Sequence, residues 1–330
     1  MRCGTFLRYR IFCVPALEGR QEGKKNIKSN IKSMQVKEAA QVTAGGGYMP
    51  KSQKPVIAIM YDFDKTLCTR DMQEYTFIPS LGLKAQDFWD ETGRMAREDN
   101  MDAMLAYMYL MLRKSHDRKI PVTRDAFKRL GAGIEYYPGV ESWFARLNAY
   151  GVEKGIRIEH YVISSGLQEI IEGSSIYPEF KKTYACEFLY DENGVAVWPK
   201  NVVNYTTKTQ FLFRINKGVL DVFDNDKVNQ YVPEDERPIP FRNMIYIGDG
   251  MTDVPCMKLV KANGGQSIAV FKKRKKSIAK QLLGEGRVDF IVEADYEENS
   301  ELDDIVKLIL DKMTVADQLV TMHRKHEQSL

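Results

Sequence analysis

Two aspartates one residue apart, Asp62 and Asp64, are the side chains most clearly suited to chemistry in this sequence. They follow an apolar run over residues 56–61, which is typical of a strand buried on both faces of a parallel sheet. Ligand sites of open α/β sheets lie just beyond the carboxyl ends of such strands. Two carboxylates this close repel each other unless a cation or a shared proton relieves them. A Mg²⁺ ion would leave one carboxylate ionised for attack and the other free to move protons; a polar turn after a strand is the alternative.

A second predicted strand, residues 161–163, ends in Ser164, Ser165 and Gly166, after which a helix-like segment begins. A strand followed by small residues and a helix N-terminus brings hydroxyl and backbone N–H groups together, which is an anion-binding arrangement. The same residues are also ordinary turn formers. The segment therefore leaves an anion site and a simple turn as open alternatives.

Lys208 stands in the first turn of a helix predicted over 210–215, where the helix dipole disfavours a cation. A lysine there is better explained by a neighbouring anion than by water, although a solvated lysine is the alternative. A third buried strand, 244–247, runs into a loop that contains Asp249 and Asp253. These two carboxylates are expected to flank a site beyond the end of that strand.

Composition indicates a globular protein rather than a disordered one. The chain has 330 residues, enough for about two domains, and 44% of them are hydrophobic. The net charge of +3 is unevenly spread, because residues 1–54 carry eleven Lys and Arg against three Asp and Glu. The remainder is therefore mildly acidic, and we expect no nucleic-acid partner; a basic arm that touches nucleic acid is the alternative.

The five cysteines are far apart and form no CxxC pair, which argues against a disulfide framework or a zinc cluster and favours a reducing compartment. No apolar stretch approaches the roughly 18 residues of a membrane helix. A short apolar patch near the N-terminus is interrupted too soon for a good signal peptide. These features predict a cytoplasmic protein with no membrane partner.

Residues 68–157 form a mostly helical block placed directly after the first strand. Asn100 is a candidate cap for its second helix, and Met104 and Tyr107 are assigned to helix packing rather than to a ligand site. The predicted helices of this block cover 83–98 and 101–114, begin at a cap on Thr123, and cover 139–150.

The remaining segments complete an alternating α/β pattern. His160, beside the second strand, is expected to pack in the core rather than act as a base. The other predicted features are a hairpin over 183–198, a surface insertion over 218–242, strands over 267–271 and 289–292, a solvated lysine-rich run over 272–276 and a helix over 301–312.

Taken together, the four polar strand ends resemble the haloacid dehalogenase (HAD) superfamily. Its motifs are DxDxT, a Ser or Thr after a strand, a Lys, and an acidic GDxxxD-type loop. The resemblance spans residues 56 to about 295 and is carried by Asp62-Phe-Asp64-Lys-Thr66, Ser164, Lys208 and Gly248-Asp249-Gly250-Met-Thr-Asp253.

This resemblance implies an α/β fold in which a Rossmann-like parallel sheet core carries an inserted helical cap of the C1 type, as in phosphoserine phosphatases. The long segment between Lys208 and Asp249 departs from the phosphoserine-phosphatase pattern. The implied division is a mobile basic extension over 1–54, a core over 55–68 and 158–313, a cap over 69–157 and a C-terminal tail over 314–330.

The resemblance also implies a Mg²⁺-dependent phosphatase that acts on a small phosphorylated metabolite through an aspartyl-phosphate. In that mechanism Asp62 is the nucleophile and Asp64 the general acid and base. Mg²⁺ would be held by Asp62, the backbone carbonyl of Asp64 and Asp249, with Asp253 nearby, directly or through water. The second aspartate of the DxD motif is informative, because dehalogenases of the superfamily lack it.

By the same resemblance, Ser164 and Lys208 would hold the phosphoryl oxygens. Asp71 falls where the similar phosphatases place an acidic substrate contact, and a surface aspartate is the alternative reading. A phosphomutase that uses the same residues and a non-catalytic phospholigand-binding protein are the competing functions. The intact nucleophile position counts against the second of these, since a binding protein does not need a nucleophile.

Overall fold

β1 (Val56–Tyr61) is the central strand of a seven-stranded sheet, and five of its six residues are buried. The structure, a computed structural model, describes residues 54–330 except positions 121, 274, 328 and 330. Apart from Lys54, the predicted extension over 1–54 therefore lies outside the described residues. The other strands are β2 (Arg157–Leu167), β3 (Lys182–Tyr190), β4 (Ala196–Asn201), β5 (Met244–Gly248), β6 (Gln266–Phe271) and β7 (Phe290–Glu293).

The strand order is β4-β3-β2-β1-β5-β6-β7, and only β4 runs antiparallel to its neighbour. The chain builds outward from β1 on one side and then returns to its other side at β5, so the strand order reverses at β1. Ligands of such sheets bind at this switch point. Tyr61 pairs with both Val162 and Ile247, so the residues that follow these strands leave the sheet at one edge. This arrangement confirms the predicted α/β fold with a mostly parallel sheet.

Helices accompany these strands along the whole described chain. Thr123 accepts a hydrogen bond from the backbone N–H of Ala126, which confirms the predicted cap there. Within the described ranges, no helix is both long and apolar enough to cross a membrane. The helices are α1 (Phe77–Ser80), α2 (Ala85–Glu98), α3 (Ala103–Asp117), α4 (Arg124–Leu130), α5 (Val140–Glu153), α6 (Gln168–Glu172), α7 (Lys208–Lys217), α8 (Asn225–Asn229), α9 (Val254–Ala262), α10 (Ser277–Gly284) and α11 (Glu301–Glu327).

The start of α3 differs from the prediction. Asp102, not Asn100, caps the helix, and its Oδ1 accepts hydrogen bonds from the backbone N–H groups of Met104 and Leu105. Asn100 has a left-handed backbone, φ +48°, which asparagine tolerates better than most residues, and it turns the chain before the helix. Asn204 also donates to Asp102, which ties α3 to the loop before α7.

α5 lies within the predicted cap range of 69–157, yet it covers the sheet. Its Trp143 and Phe144 are fully buried. Phe144 meets the ring of Tyr61 edge-on at 5.8 Å and that of His160 at 5.1 Å. The helices between β1 and β2 therefore do not all share one environment, because the last of them is part of the sheet's packing layer.

The C-terminal helix α11 continues through Glu327, beyond the predicted end at Lys312. No glycine or proline interrupts the sequence after Lys312, so nothing in the local chemistry stops the helix there. Most of the predicted tail over 314–330 is consequently helical. The predicted hairpin is confirmed, since β3 and β4 pair antiparallel around Gly194, which has a left-handed φ of +72°.

His160 is buried in the core, as predicted, and lies in a chain of hydrogen bonds. Its Nε2–H donates to Asn148 Oδ1 (3.2 Å), and its Nδ1 accepts from the Tyr61 hydroxyl (3.1 Å). The Trp143 indole N–H donates in turn to the Tyr61 hydroxyl (2.9 Å). Each of these donors has an acceptor when the imidazole is neutral, so the network stabilises the uncharged form.

The burial of His160 makes the stability of the fold depend on pH. Burial lowers the pKa of His160 to about 3 from its ordinary 6.5. Between these values the unfolded chain binds a proton that the folded protein does not, so stability is fully present above about pH 6.5 and falls as the pH falls below it. We expect His160→Asn to reduce this loss by up to about 1.4 kcal/mol per pH unit. Urea unfolding of both proteins at about pH 7, 6 and 5 measures the difference, and parallel slopes would contradict it.

Candidate active site

Four of the predicted site residues, Asp62, Asp64, Asp71 and Asp249, line one cavity of about 360 Å³ at the carboxyl edge of the sheet. Asp62 and Asp64 follow β1, and Asp249 follows the adjacent strand β5. The backbone N–H of Asp62 donates to the carbonyl of Ile247 (2.9 Å), so pairing with β5 continues to the aspartate itself. The sheet register therefore fixes where the carboxylates meet.

Lys208 lies behind this cavity between two carboxylates. It begins α7 and is completely buried. Its Nζ is 2.7 Å from Asp253 Oδ1, to which it donates a hydrogen bond, and 3.1 Å from Asp62 Oδ1. The Tyr246 hydroxyl donates a second hydrogen bond to Asp253 Oδ1 (2.8 Å). The prediction that Lys208 faces anions is confirmed.

Burial and charge act in opposite directions on these groups. Burial raises the pKa of Asp62 to about 6, although the adjacent Lys208 lowers it. Burial alone would lower the pKa of Lys208, but Asp253 and Asp62 raise it above its ordinary value. Burial, together with Asp253 and Asp62, also raises the pKa of Asp249 well above its ordinary range. The cluster has more negative groups than one lysine can balance, so an added cation would be attracted to it.

Asp64 is oriented by the short turn that follows the first motif. Its Oδ1 accepts a hydrogen bond from the backbone N–H of Met72 (2.8 Å). Burial, then the nearby Asp71 and Asp62, raise the pKa of Asp64 well above its ordinary value, which favours the protonated form. A Cβ at Gly166 would come within 2.8 Å of Asp64 Oδ2, so only glycine leaves room for this carboxylate.

Asp62, Asp249 and Asp253 each offer an oxygen within 4.8 Å of the others. Asp62 Oδ1 is buried, and the Lys208 ammonium at 3.1 Å is its close partner among the described residues. A buried group of carboxylates that one lysine balances only in part fits Mg²⁺, which prefers oxygen ligands. A Cβ at Gly248 would lie 2.5 Å from Asp253 Oδ2, so this glycine permits the close approach of the loop.

The two serines at the end of β2 have different environments. Ser164 is fully buried, and its hydroxyl accepts a hydrogen bond from the Gly166 N–H (3.0 Å). Ser165 lines the cavity, and its hydroxyl has no partner within the described part of the chain. Ser164 was predicted to bind phosphate and Ser165 was not, although the two are neighbours at the same strand end.

Asp71, predicted as a substrate contact, lines the cavity. Its carboxylate forms an ion pair with Lys65 Nζ at 2.5 Å. Lys65 has a left-handed φ of +57°, which places the lysine inside the tight turn between Asp64 and Thr66. Lys65 was not predicted as a site residue, and it is the single cation among the described residues that line this cavity.

An apolar wall faces the carboxylates and consists of Trp89, Met104 and Tyr107, from α2 and α3. The assignment of Met104 and Tyr107 to helix packing alone was therefore incomplete. The Trp89 and Tyr107 rings meet edge-on at 6.1 Å. The Tyr107 hydroxyl donates to the carbonyl of Ser165 (2.8 Å), which fixes the wall to the end of β2.

Sequence comparison agrees with this geometry. The sequence profile of the haloacid dehalogenase-like hydrolases matches residues 59–258, more than half of the chain. The chain therefore belongs to the haloacid dehalogenase-like hydrolases and is an enzyme of that family. It is also 28% identical over 276 residues to an uncharacterised protein of Borreliella burgdorferi, an alignment that covers 75% of this chain and 94% of that protein.

The comparison with solved structures gives a shared fold for one HAD family hydrolase. A HAD family hydrolase from Salmonella enterica serovar Typhi aligns with a TM-score of 0.51 and 16% identity, over 78% of this chain and 72% of that chain. A substrate-bound phosphoserine phosphatase aligns with a TM-score of 0.48 and 15% identity, over 78% of this chain and 99% of that chain. At such identities the likeness concerns the arrangement of the strands and helices.

Proposed function

We propose that this protein is a Mg²⁺-dependent phosphatase that hydrolyses a small phosphomonoester through an aspartyl-phosphate on Asp62. One observation carries the proposal. Asp62 is buried at the end of the central strand, and its Oδ1 lies 3.1 Å from the Lys208 ammonium, which favours the ionised carboxylate. An ionised carboxylate held in this way is free to attack a phosphorus atom delivered through the cavity.

In the first step an Asp62 oxygen attacks phosphorus in line with the ester bond, and the bond to the leaving oxygen breaks. Asp64 gives its proton to that oxygen, a role for which its raised pKa prepares it. Lys208 remains beside the attacking carboxylate and stabilises the charge that spreads over the phosphoryl oxygens. The products of this step are the free alcohol and the phosphorylated enzyme.

In the second step water attacks the phosphorus, and Asp64, now ionised, takes the proton. The bond between phosphorus and Asp62 breaks, which regenerates the carboxylate and releases inorganic phosphate. The Ser165 hydroxyl lines the cavity without a partner, so it can donate to a phosphoryl oxygen in both steps. Ser164, held by Gly166, supports this strand end from the buried side.

Asp62 and Asp249, together with the backbone carbonyl of Asp64, are the groups that would hold Mg²⁺. When bound, the ion neutralises charge on the phosphoryl group and on the carboxylates around it. Asp253 is already engaged by Lys208 and Tyr246, so its contribution is to position that lysine and to add negative charge nearby.

Phosphate release from a panel of small phosphomonoesters, with Mg²⁺ or with EDTA, tests this function. We expect release that requires the metal. Formation of an isomerised sugar phosphate without free phosphate would point to a mutase. Absence of both products, in a folded protein that binds Mg²⁺, would contradict catalysis and favour a binding role.

Asp64→Asn tests the proton-transfer role separately. We expect it to slow hydrolysis of alkyl phosphates by about 10²–10⁴-fold, because an alkoxide leaves poorly without a proton. The first step with p-nitrophenyl phosphate should be affected much less, since its leaving group needs little protonation. Pre-steady-state release of p-nitrophenol measures that step, and an equal loss for both kinds of ester would contradict the role.

A further inference from the structure

Gln73 is a buried polar residue that the mechanism above does not use. It lies in the 3₁₀ turn Met72–Glu74, is only 2% exposed, and lines the same cavity as Asp64. Its Oε1 has no hydrogen-bond partner among the described residues. Buried side-chain amides are nearly always paired, and leaving one unpaired is costly, so this oxygen is available to accept a hydrogen bond from a molecule bound in the cavity.

The position of Gln73 relates it to the organic part of a substrate. The backbone N–H of Met72, on one side of it, holds the proposed general acid Asp64. Glu74, on the other side, accepts a hydrogen bond from the Trp89 indole N–H (2.8 Å) and so fixes the apolar wall. The residues on either side of Gln73 thus contact Asp64 and Trp89, and Gln73, Asp64 and Trp89 all line the same cavity.

The charges around the cavity restrict that alcohol further. Four carboxylates line the cavity, and the one lining cation found among the described residues, Lys65, is already paired with Asp71. A carboxylate on the substrate would meet like charges, the apolar wall or neutral polar groups such as Tyr205 and Thr252. Among the described residues that line the cavity, no unpaired cation is present to balance its charge. Burying a charge without a partner is strongly unfavourable.

We propose, in a step that rests on the proposed function, that Gln73 selects the substrate class. Its Oε1 accepts a hydrogen bond from a hydroxyl or ammonium group on the leaving alcohol, and the enzyme discriminates against phosphomonoesters that carry a carboxylate. The substrate is accordingly a phosphorylated amino alcohol or polyol rather than a phosphorylated amino acid or hydroxy acid.

Matched esters test the two parts of this proposal. Phosphoethanolamine and phosphoserine differ by one carboxylate, as glycerol 3-phosphate and 3-phosphoglycerate differ by a carboxylate in place of a hydroxymethyl group. We expect kcat/KM to favour the member without the carboxylate by about tenfold or more in at least one pair. The pair with the larger kcat/KM values tells whether an ammonium or a hydroxyl is preferred. Preference for the carboxylate-bearing member in both pairs would overturn the proposal.

Gln73→Met removes the acceptor while it keeps a side chain of similar length. We expect the ratio of kcat/KM for the preferred ester to that for ethyl phosphate, which lacks the donor, to fall by about tenfold. Loss of structure alone would lower both values together and leave the ratio unchanged, and an unchanged ratio would overturn the role of Gln73. Gln86→Met, at an exposed position of α2, is the matched control and should keep the wild-type ratio.

Turnover of p-nitrophenyl phosphate separates this proposal from the proposed function. If the protein hydrolyses neither p-nitrophenyl phosphate nor any other ester in the presence of Mg²⁺, the phosphatase assignment fails. Calorimetric binding of the same ester pairs to wild type and Gln73→Met then decides the substrate class. Tighter binding of the esters without a carboxylate, weakened in the variant, would support it, and any other ranking would overturn it.

Discussion

Asp62→Asn is expected to reduce phosphate release by at least about 10³-fold, because the amide cannot attack phosphorus and no other group takes over a lost nucleophile efficiently. The fold should survive. Lys208 keeps its hydrogen bond to Asp253, and removal of one charge relieves the repulsion among Asp62, Asp253 and Asp249. We therefore expect a thermal midpoint equal to or above that of the wild type, measured in EDTA.

The combination of lost activity and retained stability is the informative result. Asp117→Asn provides the control, since Asp117 is exposed at the C-terminal end of α3 and lies outside the cavity lining. This variant should keep wild-type turnover. Substantial phosphate release by Asp62→Asn would show that another group attacks phosphorus.

Lys208→Met is the second change with a large expected effect, and it acts on stability as well as on turnover. It leaves Asp62 and Asp253 buried without their cation. Removing one partner of a buried ion pair costs about 3–5 kcal/mol of unfolding free energy. Urea unfolding in EDTA measures this cost without compensation from a bound metal.

A double-mutant cycle shows whether that cost in unfolding free energy comes from the buried carboxylates that lose their cation. Lys208→Met with Asp253→Asn should be less destabilised than the sum of the two single variants, because the second change neutralises one unpaired group. Lys200→Met removes a lysine from a surface ion pair with Glu187 and is expected to change stability little. If the changes in unfolding free energy of the two single variants simply add in the double variant, unpaired buried charge is not the cause of the cost.

The residues that bear the motifs could be predicted because their neighbours in sequence define their place. An apolar run directly before Asp62 indicates a buried strand, and the end of that strand is where an α/β sheet binds ligands. Lys208 was identified from a cation in the first turn of a helix, where only a nearby anion makes it favourable. In each of these cases local chemistry restricts the position of the side chain.

Other site residues depend on tertiary packing, which a single sequence does not determine. Gln73 and Trp89 lie on a short turn and a helix, and which side faces the cavity is decided by how these elements dock on the sheet. Asn100 and Asp102 are both good capping residues two positions apart, and the choice between them depended on which one takes the left-handed turn. Ser164 and Ser165 are likewise equivalent by type and differ only in the direction of their side chains.

Detection of the covalent intermediate tests the central claim most directly. Asp64→Asn mixed with p-nitrophenyl phosphate and Mg²⁺ should complete the first step and then stall, because no base activates the water. After an acid quench, peptide mass spectrometry should find one phosphoryl group on the peptide that contains Asp62, and none when Asp62 is also replaced by Asn. Release of p-nitrophenol with no phosphoryl group on that peptide would contradict the mechanism.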